Sequence, residues 1–207
     1  GMDPAIVGDT AAICYAVDRN TSKRYIVDAM KVTRPSPQQI RDIILNWTSL
    51  YSPSEWIIEK NAFQAFLTQD EGIKQFLASR GVLLKEHHTG SNKWDSGFGV
   101  ASMATLFGTK QHDGKHHRDN LIHLPSDQTE NVKALIEQLI TWTPTTKGKT
   151  DMVMALWFCE IRAREMLNYG QYATHHLKNP FLTSAEKRKR VVVNIDEMLA
   201  NQNKLFV

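Results

Sequence analysis

The chain has 207 residues, of which 42% are hydrophobic and 23% are charged, and its formal net charge is +3. These values are ordinary for a globular protein of one domain, and the mild basicity permits nucleic-acid binding without requiring it. No apolar run approaches the ~20 residues that cross a bilayer, so we expect neither a membrane span nor a signal peptide. Cys14 and Cys159 lie in apolar runs without metal-ligand or redox spacing, which predicts buried, reduced thiols in a reducing, cytosolic protein.

The first third of the chain begins with two strand-like segments. Residues 10–19 and 24–32 are rich in apolar and β-branched residues and flank the polar sequence NTSK, so they predict a β-hairpin. Residues 3–7 form either the start of the first strand or a separate short strand. Because a strand-like segment starts so early, we expect the chain to be cut from a longer polypeptide and Gly1-Met2 to be a remnant of its preparation.

Helical and extended patterns then alternate up to residue 88. The predicted elements are a helix from Pro37 to about residue 51, a strand at 55–61, a helix at 62–80 and a strand at 82–88. Ser36 and Gln39 form a capping box at the start of the first helix, with proline at its first position. This alternation is typical of parallel strands. The predicted fold class is therefore α/β, with a mixed central sheet, an antiparallel N-terminal hairpin and flanking helices.

The second half of the chain has longer polar connections. The predicted elements are a helix at 92–107, a loop at 108–120, a short strand at 121–125, a helix capped by Ser126 or Asp127 that ends near Thr141, and an apolar helix at 151–167. The apolar pattern weakens after about residue 170. We therefore predict one domain over residues 1–170 and a C-terminal extension, packed or mobile, over residues 171–207.

Three acidic residues stand where apolar segments begin or end. They are Asp3, Glu59 and Asp151. Carboxylates at strand ends lie on the rim of a sheet, and carboxylate oxygens are preferred ligands of Mg²⁺ and Mn²⁺. If these three converge, they are suited to hold two divalent ions for phosphodiester hydrolysis. Taken singly, Asp151 also suits a helix cap and Asp3 a turn before proline. Glu59 also suits an ion pair with Lys60 or Lys85.

Four segments carry a resemblance to a known family. They are GMDPAIVGDTAA, WIIEKNAFQ, HHTGSNKWDSGFGVASMATLF and GKTDMVMALWF, in that order. Over about residues 1–168 the chain resembles the C-terminal nuclease domain of the large terminase subunit of tailed double-stranded DNA bacteriophages. That resemblance implies a ribonuclease H-like fold and a metal-dependent endonuclease that cuts concatemeric phage DNA during genome packaging, with little sequence preference.

The resemblance also implies roles for individual residues. Asp3 would bridge two Mg²⁺ or Mn²⁺ ions, and Glu59 and Asp151 would complete their ligands, with a metal-activated water as the nucleophile. Many family members carry a further acidic residue directly after the last aspartate, where this chain has Met152. The second ion is therefore expected to bind weakly, or to draw on Asp9 or on a DNA phosphate.

The partners implied by the family are DNA, an N-terminal ATPase domain of the same polypeptide, a portal protein and a small terminase subunit. The implied location is the cytoplasm of an infected bacterium, and the isolated domain is expected to be a monomer. The GKT string at 148–150 is not predicted to bind phosphate as an ATPase loop, because Thr143 stands where that motif requires glycine.

Several basic residues are auxiliary candidates. Lys93 matches a lysine of the family pattern and suits a contact to the scissile phosphate, while His88, next to His87, ends a strand on the same rim. The polar segment 110–118 suits a loop that contacts DNA phosphates through Lys110, Lys115, His116, His117 and Arg118. Each of these residues also suits an ordinary solvated surface.

Three other functions remain open on the same residues. A Holliday-junction resolvase would prefer branched DNA, and a cellular ribonuclease H would prefer an RNA–DNA hybrid. A non-catalytic module would only dock DNA or a portal ring, and Met152 in place of a second acid keeps that alternative open.

Overall fold

The computed structural model describes residues 1–5, 7–60, 70–95, 97, 99–107, 120–145 and 149–176, with side chains as far as residue 167. The strands are β1 (Met2–Asp3), β2 (Asp9–Val17), β3 (Arg24–Thr33), β4 (Glu55–Glu59), β5 (Leu83–His87) and β6 (Ile122–His123). The α-helices are α1 (Pro37–Tyr51), α2 (Glu71–Ser79), α3 (Glu130–Thr141) and α4 (Asp151–His176). Two 3₁₀ helices cover Ser91–Trp94 and Val100–Leu106.

The six strands form one mixed sheet in the order β5-β4-β1-β2-β3-β6. β1, β2 and β3 are antiparallel neighbours, whereas β4 runs parallel to β1 and to β5. A separate short strand, Met2–Asp3, therefore precedes the hairpin, and it includes Asp3 from the predicted range 3–7. The mixed sheet with an antiparallel N-terminal hairpin confirms the predicted ribonuclease H-like fold class.

Helices cover both faces of the sheet, because residues along each strand alternate between two apolar clusters. On one face Met2, Ala12 and Ile58 pack against α1 and α2. On the other face Ala11, Ile13 and Ile57 pack against α3 and α4. The face covered by α4 matters for function, since α4 begins with one of the predicted site residues, Asp151.

Most predicted elements are confirmed, and the first helix is confirmed in detail. Ser36 caps α1, and its capping box with Gln39 is formed in both directions. The N-cap predicted for α3 was wrong: Thr129 caps that helix through the amide of Val132. Cys159 is buried as predicted, while Cys14 is only partly buried, and both are free thiols.

The helix predicted over 92–107 is wrong, because the two 3₁₀ helices in that range are separated by a bend. Gly99 lies in this bend, and a Cβ atom there would stand 2.5 Å from the carbonyl oxygen of Lys93 and 2.4 Å from that of Asp95. Backbone contacts this close admit only glycine. The segment thus folds back on itself and fixes the backbone of Lys93.

Residues Gly1–Arg164 form one compact unit, and Glu165–Val207 form a second, of which the structure describes the continuation of α4 to His176. The predicted boundary at residue 170 falls within this helix and stays a prediction. No helix in the described part of the chain combines the length and apolar composition that crossing a bilayer requires.

Candidate metal centre

Strand register brings Asp3 and Glu59 together. Met2 on β1 is the partner of Ile58 on the parallel strand β4, so the next residue on each strand, Asp3 and Glu59, is also adjacent. Met2 and Ile58 point towards α1. Because side chains alternate along a strand, Asp3 and Glu59 point to the opposite face, which α4 covers. The two carboxyl groups share a hydrogen bond.

The first turn of α4 brings Asp151 to the same rim. Met152 and Val153 follow Asp151 and are buried in the cluster beneath α4. Their backbone amides donate to Oε1 of Gln138 on α3, at 3.0 and 3.4 Å. Gln138 therefore satisfies amide groups that a helix N-terminus leaves free, and it fixes the start of α4. No local sequence signal pointed to Gln138, because its partners are 14 and 15 residues away along the chain.

The position after Asp151 does not present a side chain to the rim. Met152 is fully buried among apolar side chains of the core. Met152, which stands where many family members have a second acid, therefore packs in the core and offers no ligand to the rim.

The carboxylates of Glu59 and Asp151 influence the ionisation of Asp3. The pKa of Asp3 is raised to about 8, chiefly by burial and also by the charge of Glu59, the hydrogen bond with Glu59 and the charge of Asp151, while Lys93 opposes them. The pKa of Asp151 is also raised, mainly by burial and also by the charge of Asp9. Like charges at a shared site disfavour ionisation in this way.

Lys93 lies within electrostatic range of Asp3, as its effect on the Asp3 pKa shows. Its Nζ stands 4.8 Å from the ring centroid of Trp94, which is half exposed. The predicted auxiliary residue Lys93 is therefore a neighbour of the carboxylates. The alternative ion pairs suggested for Glu59 do not account for it, because Lys60 and Lys85 contact Glu86 and Glu55 instead.

The two histidines at the end of β5 differ in position. His87 is the register partner of Glu59, so it shares the face covered by α4, and its ring stands 5.2 Å from Trp157 and 5.1 Å from Phe158. His88, the residue predicted as auxiliary, is exposed, and its carbonyl oxygen accepts from Asn92. Strand alternation favours His87 over His88 as a neighbour of the site, a choice that required the β4–β5 register.

Asp9 on β2 lies on the sheet face that α4 covers, and it forms an ion pair with Lys149. Asp9 is 4% exposed, and its Oδ2 stands 2.7 Å from Nζ of Lys149. A hydrogen bond from Lys149 lowers the pKa of Asp9, with a further contribution from Thr33. Lys149 was not predicted as a site residue, although it belongs to the GKT string that was considered and set aside as an ATPase loop.

The donor types suit a hard divalent cation. Asp3, Glu59 and Asp151 offer only carboxylate oxygens, and the mutual repulsion that raises the Asp3 pKa is what a bound cation would relieve. Within the described residues, no three His, Cys, Asp or Glu side chains are gathered closely enough to surround one ion. An ion shared by all three carboxylates would therefore require them to lie closer together than they do in this structure.

The predicted DNA-contacting residues Lys110, Lys115, His116, His117 and Arg118 lie outside the described residues, as does the segment 61–69 that follows β4.

We expect the stability of the metal-free protein to fall as the pH rises from about 4 to 8. Asp3 has an ordinary pKa of 3.8 when unfolded and about 8 when folded. Between these values the folded state binds the additional proton, so raising the pH favours unfolding. Thermal unfolding measured at several pH values from 5 to 8 should show a falling melting temperature. In a chain of this size, each kcal/mol lost from the free energy of unfolding lowers the melting temperature by roughly 2–4 °C.

Mg²⁺ should reverse this trend, because it binds the ionised carboxylates and displaces the proton. The charged groups that face Asp3 are Glu59, Asp151 and Lys93. The raised pKa of Asp151 acts in the same direction, and the lowered pKa of Asp9 affects stability only at more acidic pH. Asp3→Asn should flatten the profile; an equally steep fall in this variant would contradict the assignment to Asp3.

Two of the solved structures to which this chain is similar are of the same protein. One is RuvC of Thermus thermophilus in complex with a Holliday junction substrate, which is 14% identical over 81% of this chain and 95% of that chain, with a TM-score of 0.41. The other, a Thermus thermophilus RuvC structure, is 16% identical with the same coverage and TM-score. No protein-family model matches the chain. No curated protein matches it either.

Proposed function

We propose that this protein is a metal-dependent endonuclease that cleaves DNA, with Asp3, Glu59 and Asp151 as its metal ligands. The observation that carries the proposal is that Asp3 on β1 interacts electrostatically with both Glu59 at the end of β4 and Asp151 at the start of α4. Residues 56 and 92 positions apart along the chain have no other evident reason to share a partly buried, negatively charged position.

Each residue has a task in this proposal. When bound, divalent ions supply Lewis acidity, activating water and stabilising the leaving oxygen of a phosphodiester. Asp3 is central, since it interacts with both Glu59 and Asp151. The buried first turn of α4, tied to Gln138, holds Asp151 in position. Lys93 brings a positive charge to the rim, where it would attract the scissile phosphate.

The finer proposal is the one that the sequence resemblance implies. The substrate would be double-stranded concatemeric phage DNA, cut with little sequence preference during genome packaging by a two-metal mechanism. An ATPase domain of the same polypeptide, a portal protein and a small terminase subunit would be its partners.

A plasmid-nicking assay tests the proposal. Supercoiled DNA should be nicked and linearised with Mn²⁺ or Mg²⁺, and EDTA should abolish the reaction. Linear duplex and a four-way junction of equal length, compared at equal concentration, separate the nuclease classes. Comparable rates on both support the packaging nuclease, whereas strong preference for the junction indicates a resolvase. Absence of cleavage together with absence of stoichiometric Mn²⁺ binding would leave a docking module and refute the proposal.

A further inference from the structure

Asp9 is a fourth carboxylate at the rim that holds the proposed metal ligands. It stands two residues before Ala11 on β2, and Ala11 is the direct partner of Asp3. Diagonal neighbours of this kind across an antiparallel pair lie about 7–8 Å apart. Asp9 is also close enough to Asp151 for their charges to interact. Its carboxylate is thus within reach of a second ion bound beside the first.

A buried carboxylate requires a compensating charge, and Lys149 provides it in this structure. The Nζ atom of Lys149 is 2.7 Å from Oδ2 of Asp9. The Asp9 side chain is 3% exposed, whereas that of Lys149 is 64% exposed. The ammonium group therefore reaches a buried acceptor from a solvated side chain.

We propose that Lys149 competes with the second divalent ion for the carboxylate of Asp9, an inference that rests on the proposed function. Without DNA the ammonium would occupy the oxygen that a second ion would need, and Asp3 and Glu59 would hold a single ion. A DNA phosphate attracts the exposed ammonium and releases the carboxylate. The complete metal site would then assemble only when substrate is present.

The closing experiment is a Mn²⁺ titration by calorimetry on the full chain without DNA. Lys149→Met removes the charge and keeps most of the stem, whereas Lys149→Arg keeps the charge. We expect the first ion to bind alike in all three proteins. The second ion should bind about five- to tenfold more tightly in Lys149→Met than in the wild type, because the competing ammonium and its repulsion of the cation are removed.

Two controls define the site. Lys74→Met removes an exposed lysine of α2 that pairs with Glu71 and should leave both affinities unchanged. Asp9→Asn should abolish the second ion in the wild-type and Lys149→Met backgrounds alike.

The outcomes separate the two proposals. If the wild type binds no Mn²⁺, the proposed function fails and this inference fails with it. If the first ion binds but Lys149→Met shows no tighter second ion, only the role of Lys149 is overturned.

Discussion

Asp3→Asn is expected to reduce metal-dependent DNA cleavage by about 10²-fold or more. A bound divalent ion contributes several kcal/mol of charge stabilisation to the transition state, and each ~1.4 kcal/mol is tenfold in rate. Asparagine keeps the shape of the side chain but replaces an anionic oxygen with an amide group. Because Asp3 interacts with both Glu59 and Asp151, its loss should weaken the whole centre. Initial rates of plasmid nicking with Mn²⁺ measure the effect.

The fold should survive this substitution, and that separates a site effect from unfolding. At pH 8 without metal, Asp3→Asn should be as stable as the wild type or more stable, since it removes a buried group that resists ionisation. Asp18→Asn is the matched control. Asp18 is partly exposed and directly follows the opposite end of β2, where it accepts from Asn20 and Thr21, and its substitution should leave nicking unchanged. Near-full cleavage by Asp3→Asn would refute the metal-ligand assignment.

Glu160→Ala is expected to destabilise the fold by about 3–5 kcal/mol, the usual cost of breaking a buried ion pair by removing one partner. Glu160 on α4 is fully buried and accepts from Tyr15 at 2.9 Å. It also accepts from Arg24 at 3.1 and 3.2 Å and from Arg164 at 2.9 Å. Alanine would leave the buried guanidinium of Arg24 without its carboxylate. Urea unfolding at pH 7 provides the measurement.

The location of this network explains the size of the effect. Tyr15 and Arg24 belong to β2 and β3, so Glu160 ties α4 to the antiparallel hairpin. The matched control is Glu130→Gln, which breaks an exposed pair with Lys133 on α3 and should cause no measurable loss of stability. Retention of wild-type stability by Glu160→Ala would show that the network is not needed to hold α4 on the sheet.

Local sequence patterns predicted the elements whose formation depends on neighbouring residues. The hairpin of β2 and β3 follows from two β-rich runs around a polar turn, and α1 follows from its capping box. The segment between Ser91 and Leu106 was misjudged, because its contacts join residues several positions apart around Gly99. Its apolar residues are spaced as in one α-helix, but the close backbone contacts at Gly99 divide the segment into two 3₁₀ helices.

The sequence indicated the acidic residues of the candidate site but not the residues that contact or position them. Acidic residues at the ends of apolar segments indicated Asp3, Glu59 and Asp151 without coordinates. Lys149 and Gln138 were not predicted, since their partners come from other elements: Asp9 on β2 for one and the first turn of α4 for the other. His87 takes precedence over His88 only after the pairing of β4 with β5 is known.

By itself, the sequence determined which segments extend, which coil into helices and which acids stand at their ends, because those properties depend on side-chain periodicity and local capping. Tertiary structure decided which of those acids meet, which cation neutralises Asp9 and which side chain fixes the start of α4. These depend on strand order and register, and strand pairing across more than 50 residues leaves no periodic signal in either strand alone.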